Sequence, residues 1–267
     1  MGNELSIETA SYEQLIKSNT ANALASELHL TETQRVKANQ TLLELLDDDK
    51  LKDATQLSKL RYCYRIATLN YKNSNAVAPI QYGHSVQAQL QYQAFIEDML
   101  ECGGVKEINA VVLYKDIDYK PKKNWLGFTV LELPEEIKLD SPFQKLDIIG
   151  YYAYAKCVDG RVATSVMSKT EVEEYAQAHS ISYRSFKKGT SKSSIWNDYF
   201  DLMAIKTCIK AVARQVLKWY PYDRLDNAIQ LDQAVFTDTG VKYLDNPKED
   251  EKVAQRDNVV VELPPSE

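Results

Sequence analysis

The stretch Ser194-Ile195-Trp196-Asn197-Asp198-Tyr199-Phe200-Asp201-Leu202-Met203-Ala204-Ile205-Lys206-Thr207-Cys208-Ile209-Lys210-Ala211-Val212-Ala213-Arg214-Gln215-Val216-Leu217-Lys218-Trp219-Tyr220 reads as one long amphipathic helix. Trp196, Tyr199, Phe200, Met203, Cys208, Val212, Val216 and Trp219 recur at three- and four-residue spacing and make an apolar face suited to docking on a sheet. Ser194 is the expected N-cap and Pro221 the expected stop, giving a helix over 195–219. Lys206, Lys210, Arg214 and Lys218 follow one another at four-residue steps. Each step rises about 6 Å and overshoots a turn by about 40°, so the cations trace a slowly drifting ridge roughly 18 Å long. Two readings fit that ridge. It is a solvated helix face whose last cations suit the helix dipole, or it is a row that tracks phosphates and releases their counterions.

Working upstream, residues 182–193 read as a basic loop rich in small residues, carrying Arg184, Lys187, Lys188 and Lys192, with no acid from 181 to 197. The whole chain of 267 residues has a formal charge of -6, which argues against a polyanion partner. The distribution argues otherwise. Residues 181–220 hold 8 basic and 2 acidic side chains, and residues 221–267 hold 5 basic and 11 acidic ones. A local excess of cations followed by an acidic segment points to a polyanion site and a solvated or regulatory tail.

The first 70 residues read as helical, with Thr31 to Gln34 spaced as a capping box and a further helix over 53–69. Val77 to Tyr82 and Ser85 to Leu90 read as a hairpin turning at Gly83-His84, followed by a helix over 91–102 that Gly103-Gly104 stops. Val111 to Tyr114 and Phe128 to Leu131 look like strands, joined by a loop that holds Lys115, Lys120, Lys122, Lys123 and Trp125. A second hairpin is expected over 148–154 and 162–167, turning at Asp159-Gly160, and Ser168 with Glu171 caps the helix that follows. Beyond about 240 the composition is that of a disordered tail. The fold class is α+β: an antiparallel sheet with hairpins packed on a long basic helix. Three regions are expected: a helical packing or oligomerisation region over 1–70, an α+β core over 71–235, and a flexible acidic tail over 236–267.

Several function classes find no support. There is no GxxxxGK[ST], GxSxG, HExxH or GxGxxG, and Lys188-Gly189-Thr190 lacks the upstream glycine of a phosphate loop. ATP-driven recombination is therefore not expected, nor is any cofactor. Cys63, Cys102, Cys157 and Cys208 are too scattered for a zinc site or disulfide framework and read as buried apolar residues. Asp116 and Asp118 flank Ile117 and would share a strand face, the one arrangement open to a metal-dependent nuclease. No apolar run is long enough to span a membrane, and Met1 to Ser6 lacks the features of an export signal, so a cytoplasmic protein is expected.

The segment from Ser194 to Lys210 resembles the RecT family of phage and prophage single-strand annealing proteins, with Met203-Ala204, Lys206-Thr207 and Ile209-Lys210 at the matching places. Gly150 to Ala155, Asp159-Gly160 and Val166 to Glu173 are similar to the strand, turn, strand and capped helix of that family. So are Gly104-Val105-Lys106 through Lys115, and Tyr82-Gly83 with Gln87 and Tyr92, in one collinear order over 55–232. The resemblance implies ATP-independent binding of single-stranded DNA and annealing of complementary strands in recombination. It also implies a homo-oligomer, ring or helical filament, with one continuous basic groove. A partner exonuclease and a host single-strand binding protein are implied partners, together with the annealed duplex intermediate. Carried over by position, Lys206 and Lys210 match the family's basic helix, Tyr92 its Tyr after the first hairpin, and Lys115 the cation ending a central strand. With Lys187, Lys188, Lys192 and Arg214 of the basic run, and Gln89 and Gln91 expected to line the groove, they make the DNA-binding set, while Trp196 anchors the helix.

The chain departs from the family pattern in one region. Tyr92-Gln93-Ala94 stands where Tyr-x-Gly is usual, and the following helix carries Glu97, Asp98 and Glu101 in place of cations. Phosphate binding is then expected to fall on 184–218 and on the 115–125 loop. Apart from annealing, two alternatives stand: the nuclease using Asp116 and Asp118, and a non-annealing scaffold protein whose basic patch meets an acidic partner.

Overall fold

The computed structural model describes residues 7, 10–72, 76–139, 141, 145–238 and 240–246. The chain runs through α1 (Tyr12–Ile16), α2 (Asn19–Glu27), α3 (Glu32–Leu46), α4 (Gln56–Ala67), β1 (Val77–Tyr82) and β2 (Ser85–Leu90). It continues through α5 (Tyr92–Glu101), β3 (Val105–Tyr114), β4 (Lys120–Lys123), β5 (Thr129–Glu132), β6 (Ile148–Cys157) and β7 (Val162–Ser168). Then come α6 (Lys169–His179), α7 (Ile181–Lys187), α8 (Ile195–Asp198), α9 (Phe200–Trp219), α10 (Asp223–Leu231), β8 (Val235–Thr237) and β9 (Gly240–Lys242). These elements form two compact units, one of residues up to 89 together with those from 230, the other of residues 90–229. Composition had suggested divisions near 70 and 235.

In the first unit, α1 to α4 each begin at a Ser or Thr whose hydroxyl accepts an amide three residues on: Ser11, Ser18, Thr31 and Thr55. The expected capping box of Thr31 with Gln34 is present, and Ser11 with Gln14 forms another. Buried tyrosines spend their hydroxyls locally: Tyr62 donates to the Val77 carbonyl at 3.0 Å and Tyr64 to Asn39 Oδ1 at 2.8 Å. The sheet order is β1-β2-β8-β9, with the expected turn at Gly83, whose φ of 58° suits a residue without Cβ. Residues 236–237 and 240–242, which composition assigned to a flexible tail, are strand. Val235 and Phe236 are apolar and buried, and β8 pairs antiparallel with both β2 and β9. The remainder of the expected tail, 247–267, lies outside the described residues.

The second unit is built on the antiparallel sheet β3-β6-β7. Its two faces differ in residue size. Ala153 and Ala155 of β6, flanked by Ala110 of β3 and by Ala163 and Ser165 of β7, make one face small, and α9 lies on it. Cys208 on α9 comes within 4.0 Å of the Tyr151 carbonyl, a close seating that larger sheet residues would block. The Gln215 side chain accepts from the Thr164 amide at 3.2 Å and donates to its carbonyl at 2.9 Å. The helix thereby occupies the outward backbone groups of an edge strand. On the opposite face Tyr152 Oη accepts from the Leu131 amide at 3.3 Å, and Thr164 Oγ1 donates to the Thr129 carbonyl at 2.8 Å.

The α+β class is as expected, as are both hairpin turns and the Ser168/Glu171 capping box. Three local expectations change. Residues 181–187 form α7, because Ser180 caps it by accepting the Tyr183 amide and Tyr183 is buried beneath. The helix expected over 195–219 is broken at Tyr199 (φ -135°, ψ 44°), and Ser194 makes no side-chain cap. The break lets Trp196 pack edge-on against Phe200 and near Tyr175 and Tyr183. Finally, the expected loop after β3 contains β4, paired from Lys120 with Glu132 to Lys123 with Thr129.

Gly104 joins α5 to β3 with its Cα against a ring: an added Cβ would lie 2.2 Å from Tyr220 Cγ. Gly104→Ala should therefore cost about 1–3 kcal/mol in urea unfolding, the range for overpacking a filled site. An unchanged midpoint would show that the Tyr220 ring swings aside freely.

Candidate nucleic-acid interface

The cations of the second unit are sorted by depth. On α9, Lys206 is 6% and Lys210 8% exposed, Arg214 is half-buried, and Lys218 alone is exposed. The expectation of four cations along one solvent-facing ridge is corrected accordingly. Periodicity sets the direction of each side chain but not what lies over it. Here α9 is packed by the sheet on one side and by α5 on another. Both buried lysines are engaged by neighbouring groups, as buried ammonium groups require.

Further exposed cations of the basic run lie before α8. Lys188 and Lys192 are exposed in the segment after α7, where Gly189 turns the chain with a φ of 73°. Lys187 is exposed too, but its Nζ is 2.7 Å from Glu173 Oε1 and it sits 5.3 Å from the Tyr183 ring centre. The hydrogen bond to Glu173 raises the Lys187 pKa, and the same contact holds the Glu173 carboxyl below its usual range. Arg184 is used structurally, with its Nη1 donating to the Gln177 and Ala178 carbonyls at 2.8 and 3.2 Å, at the end of α6.

Lys115 is exposed just past β3, its amide bonded to the Asp147 carbonyl at 2.8 Å. Gln89 is buried on β2, while Gln91 and Tyr92 are half-buried at the start of α5, where Gln91 makes no side-chain cap. Trp196 is buried among aromatic rings, as an anchor should be.

The acids of α5 have a structural partner that spacing did not reveal. Arg224 Nε is 2.5 Å from Asp98 Oδ1, and its Nη2 is 2.6 Å from Glu101 Oε2 and 3.6 Å from Glu97 Oε1. Asp98 is fully buried. The departure from the family pattern thus serves to tie α10 to α5. A second unforeseen cluster closes the β6–β7 turn. Arg161 lies 4.8 Å from the Trp219 ring centre and 5.1 Å from that of Tyr220, and its Nη2 is 2.6 Å from Asp159 Oδ2. Hydrogen bonding to Arg161 holds the Asp159 carboxyl well below the carboxylate range. The turn signal Asp159-Gly160 was legible, but the rings that meet it come from about 60 residues further along the chain.

Asp116 sits in a left-handed turn (φ 65°) past the end of β3, so Asp116 and Asp118 do not alternate on a strand face as expected. No group of three or more His, Cys, Asp or Glu among the described residues is placed to hold a metal ion. Cys63, Cys157 and Cys208 are buried, and burial pushes the Cys208 thiol up to about 11, away from thiolate reactivity. No described helix is long and apolar enough to cross a membrane.

The model of the RecT family matches residues 35–250 of this chain. The chain belongs to the RecT family. It is also 29% identical over 185 residues to YqaK, an uncharacterized protein of Bacillus subtilis (strain 168), an overlap that covers 67% of this chain and 57% of that protein. The family match encloses the basic run of 181–220 and every candidate residue named above. It also extends through β8 and β9, which the resemblance over 55–232 did not reach.

Arg224 gives a direct test of the acid clamp. Arg224→Ala leaves Asp98 buried opposite no guanidinium, and the expected cost is about 3 kcal/mol, the lower end for breaking a buried pair. Thermal and urea unfolding check it; a loss below about 0.5 kcal/mol would reduce the clamp to a surface pair.

Proposed function

We propose that this RecT-family protein binds single-stranded DNA and anneals complementary strands during recombination, without ATP and without strand cleavage, acting as a homo-oligomer in ring or filament form. The observation that carries the reading is the family match over residues 35–250, which includes the one strongly basic segment of an acidic chain. Base pairing itself supplies sequence specificity, so the protein needs cations for phosphates and open space for bases, and no base-reading code.

Within this reading, Lys188 and Lys192 make the first phosphate contacts because they are exposed. Lys187 contributes less while it is held by Glu173. Lys206, Lys210 and Arg214 extend the cationic set along α9; as charges away from bulk water they are screened less by salt. Lys115 adds a cation at the end of β3. Tyr92 is proposed as a DNA-contacting residue on the family resemblance, and Gln89 and Gln91 as its neighbours lining the groove. A partner exonuclease would supply single strands, and a host single-strand binding protein would hand them over.

The test is a fluorescence assay with two complementary oligonucleotides in EDTA and without nucleotide, followed by a denaturing gel. Annealing with intact strands is expected; Mg²⁺-dependent cleavage in place of annealing would favour the nuclease, and no binding at low salt the scaffold. For the site, Lys188→Ala with Lys192→Ala should lower the slope of log affinity against log salt by about 1.4, at roughly 0.7 for each single-strand phosphate that a lysine no longer neutralises. Thermal stability should not change, since both side chains are exposed.

A further inference from the structure

Two surfaces of the second unit are apolar, exposed and opposite in charge. One is at the α8–α9 junction, where Tyr199 is 58% and Leu202 52% exposed beside the exposed acids Asp198 and Asp201. Carboxylates repel phosphate, so DNA does not fit this surface. Acids at a helix start suit the dipole, but that does not account for the two large apolar side chains among them.

The other surface is the β4–β5 hairpin. Trp125 at its tip is 79% exposed, with Lys120 and Lys123 exposed beside it and Lys122 ion-paired with Glu132. The hairpin is held in shape before any partner arrives. Asn124 Oδ1 accepts the Leu126 and Phe128 amides at 3.1 and 2.9 Å, Asn124 Nδ2 donates to the Val162 carbonyl at 3.1 Å, and Phe128 meets Trp219 edge-on at 6.2 Å. A rigid tip loses little entropy on docking.

The placement of the two surfaces decides how they can meet. The hairpin rests on Trp219, the last residue of α9, and the acidic surface, Asp198 to Leu202, straddles the start of the same helix at Phe200. The 20 residues between them span roughly 30 Å of rigid helix, so the surfaces cannot touch within one molecule. We propose that the Trp125 hairpin of one copy of this chain docks on the Asp198–Tyr199–Asp201–Leu202 surface of the next, giving a head-to-tail contact. Trp125 is the aromatic anchor, and the lysines of the hairpin face the two carboxylates. A contact that uses different surfaces on its two sides repeats until it closes a ring or extends as a helix. The inference gives the oligomer of the proposed function its interface; it rests on that reading for its role in annealing, but not for the contact itself.

The test uses the full chain without DNA, in sedimentation velocity and mass photometry. The unaltered protein should form assemblies larger than dimers; a monomer at all concentrations would overturn the proposal. A hairpin variant, Trp125→Ala with Lys123→Glu, and a surface variant, Asp198→Arg with Leu202→Ala, should each weaken self-association at least tenfold. Mixed in equal amounts they should form dimers and stop, because only one intact hairpin and one intact surface remain to meet. Assembly of either variant like the unaltered protein, or a mixture that stays monomeric, would overturn it. So would loss of DNA binding by the hairpin variant with assembly unchanged, which would assign the hairpin to DNA. If a double variant melts early, Trp125→Ala and Asp198→Arg alone carry the comparison. Correct assembly without annealing would leave this contact standing and remove the proposed function instead.

Discussion

The seating of α9 on the small-residue face of β3-β6-β7 is the constraint on which the second unit depends. Alanines at 110, 153, 155 and 163 leave room for Ala204, Cys208 and Val212 to approach the sheet, and all three of these helix residues are fully buried. Once the helix is there, its other contacts follow. Gln215 reaches the outer backbone of β7, Phe200 meets Tyr151, and Trp219 supports both Phe128 of the hairpin and Arg161 of the β6–β7 turn. A larger residue at any of the alanine positions would lift the helix and disturb all of these contacts together, because packed interiors transmit displacement.

Charge is organised around the same helix. The chain places 8 cations and 2 acids in 181–220, yet these cations differ in what surrounds them. Lys188 and Lys192 face solvent, Lys187 is shared with Glu173, Arg184 closes the end of α6, and Lys206 and Lys210 are buried. Burying an ammonium group is costly unless neighbours compensate it, so the helix lysines are part of a built structure as well as of a positive segment. The acids of α5 show the same economy. Glu97, Asp98 and Glu101, out of place in a phosphate-binding helix, converge on Arg224 and fasten α10.

The elements most legible in the sequence were those whose cause is local. Ser168 with Glu171 and Thr31 with Gln34 act across three residues, and Gly83 and Asp159-Gly160 turn the chain where they stand. Apart from α7, whose Ser180 cap is local, the misread elements had distant causes. The break at Tyr199 serves the burial of Trp196 among rings from α6 and α7; β4 exists because β5 pairs with it; β8 is strand because β2, far earlier in the chain, offers it an edge. Among the site residues, the basic run was visible as a run, and Trp196 as an anchor. The exposed Trp125 lay in a segment read as loop, so its presentation on a rigid hairpin was not visible.

The sequence by itself determined the α+β class, two capping boxes and the hairpin turns, the family and the place of the positive segment, because each is written in spacing, side-chain chemistry or collinear order. Tertiary structure alone decided which cations reach water, which acids hold Arg224, and that a basic aromatic hairpin and an acidic apolar surface stand at opposite ends of one helix. The physical reason is the same in each case. Helical periodicity assigns a direction to a side chain, but exposure, charge pairing and separation depend on what the rest of the chain brings against it.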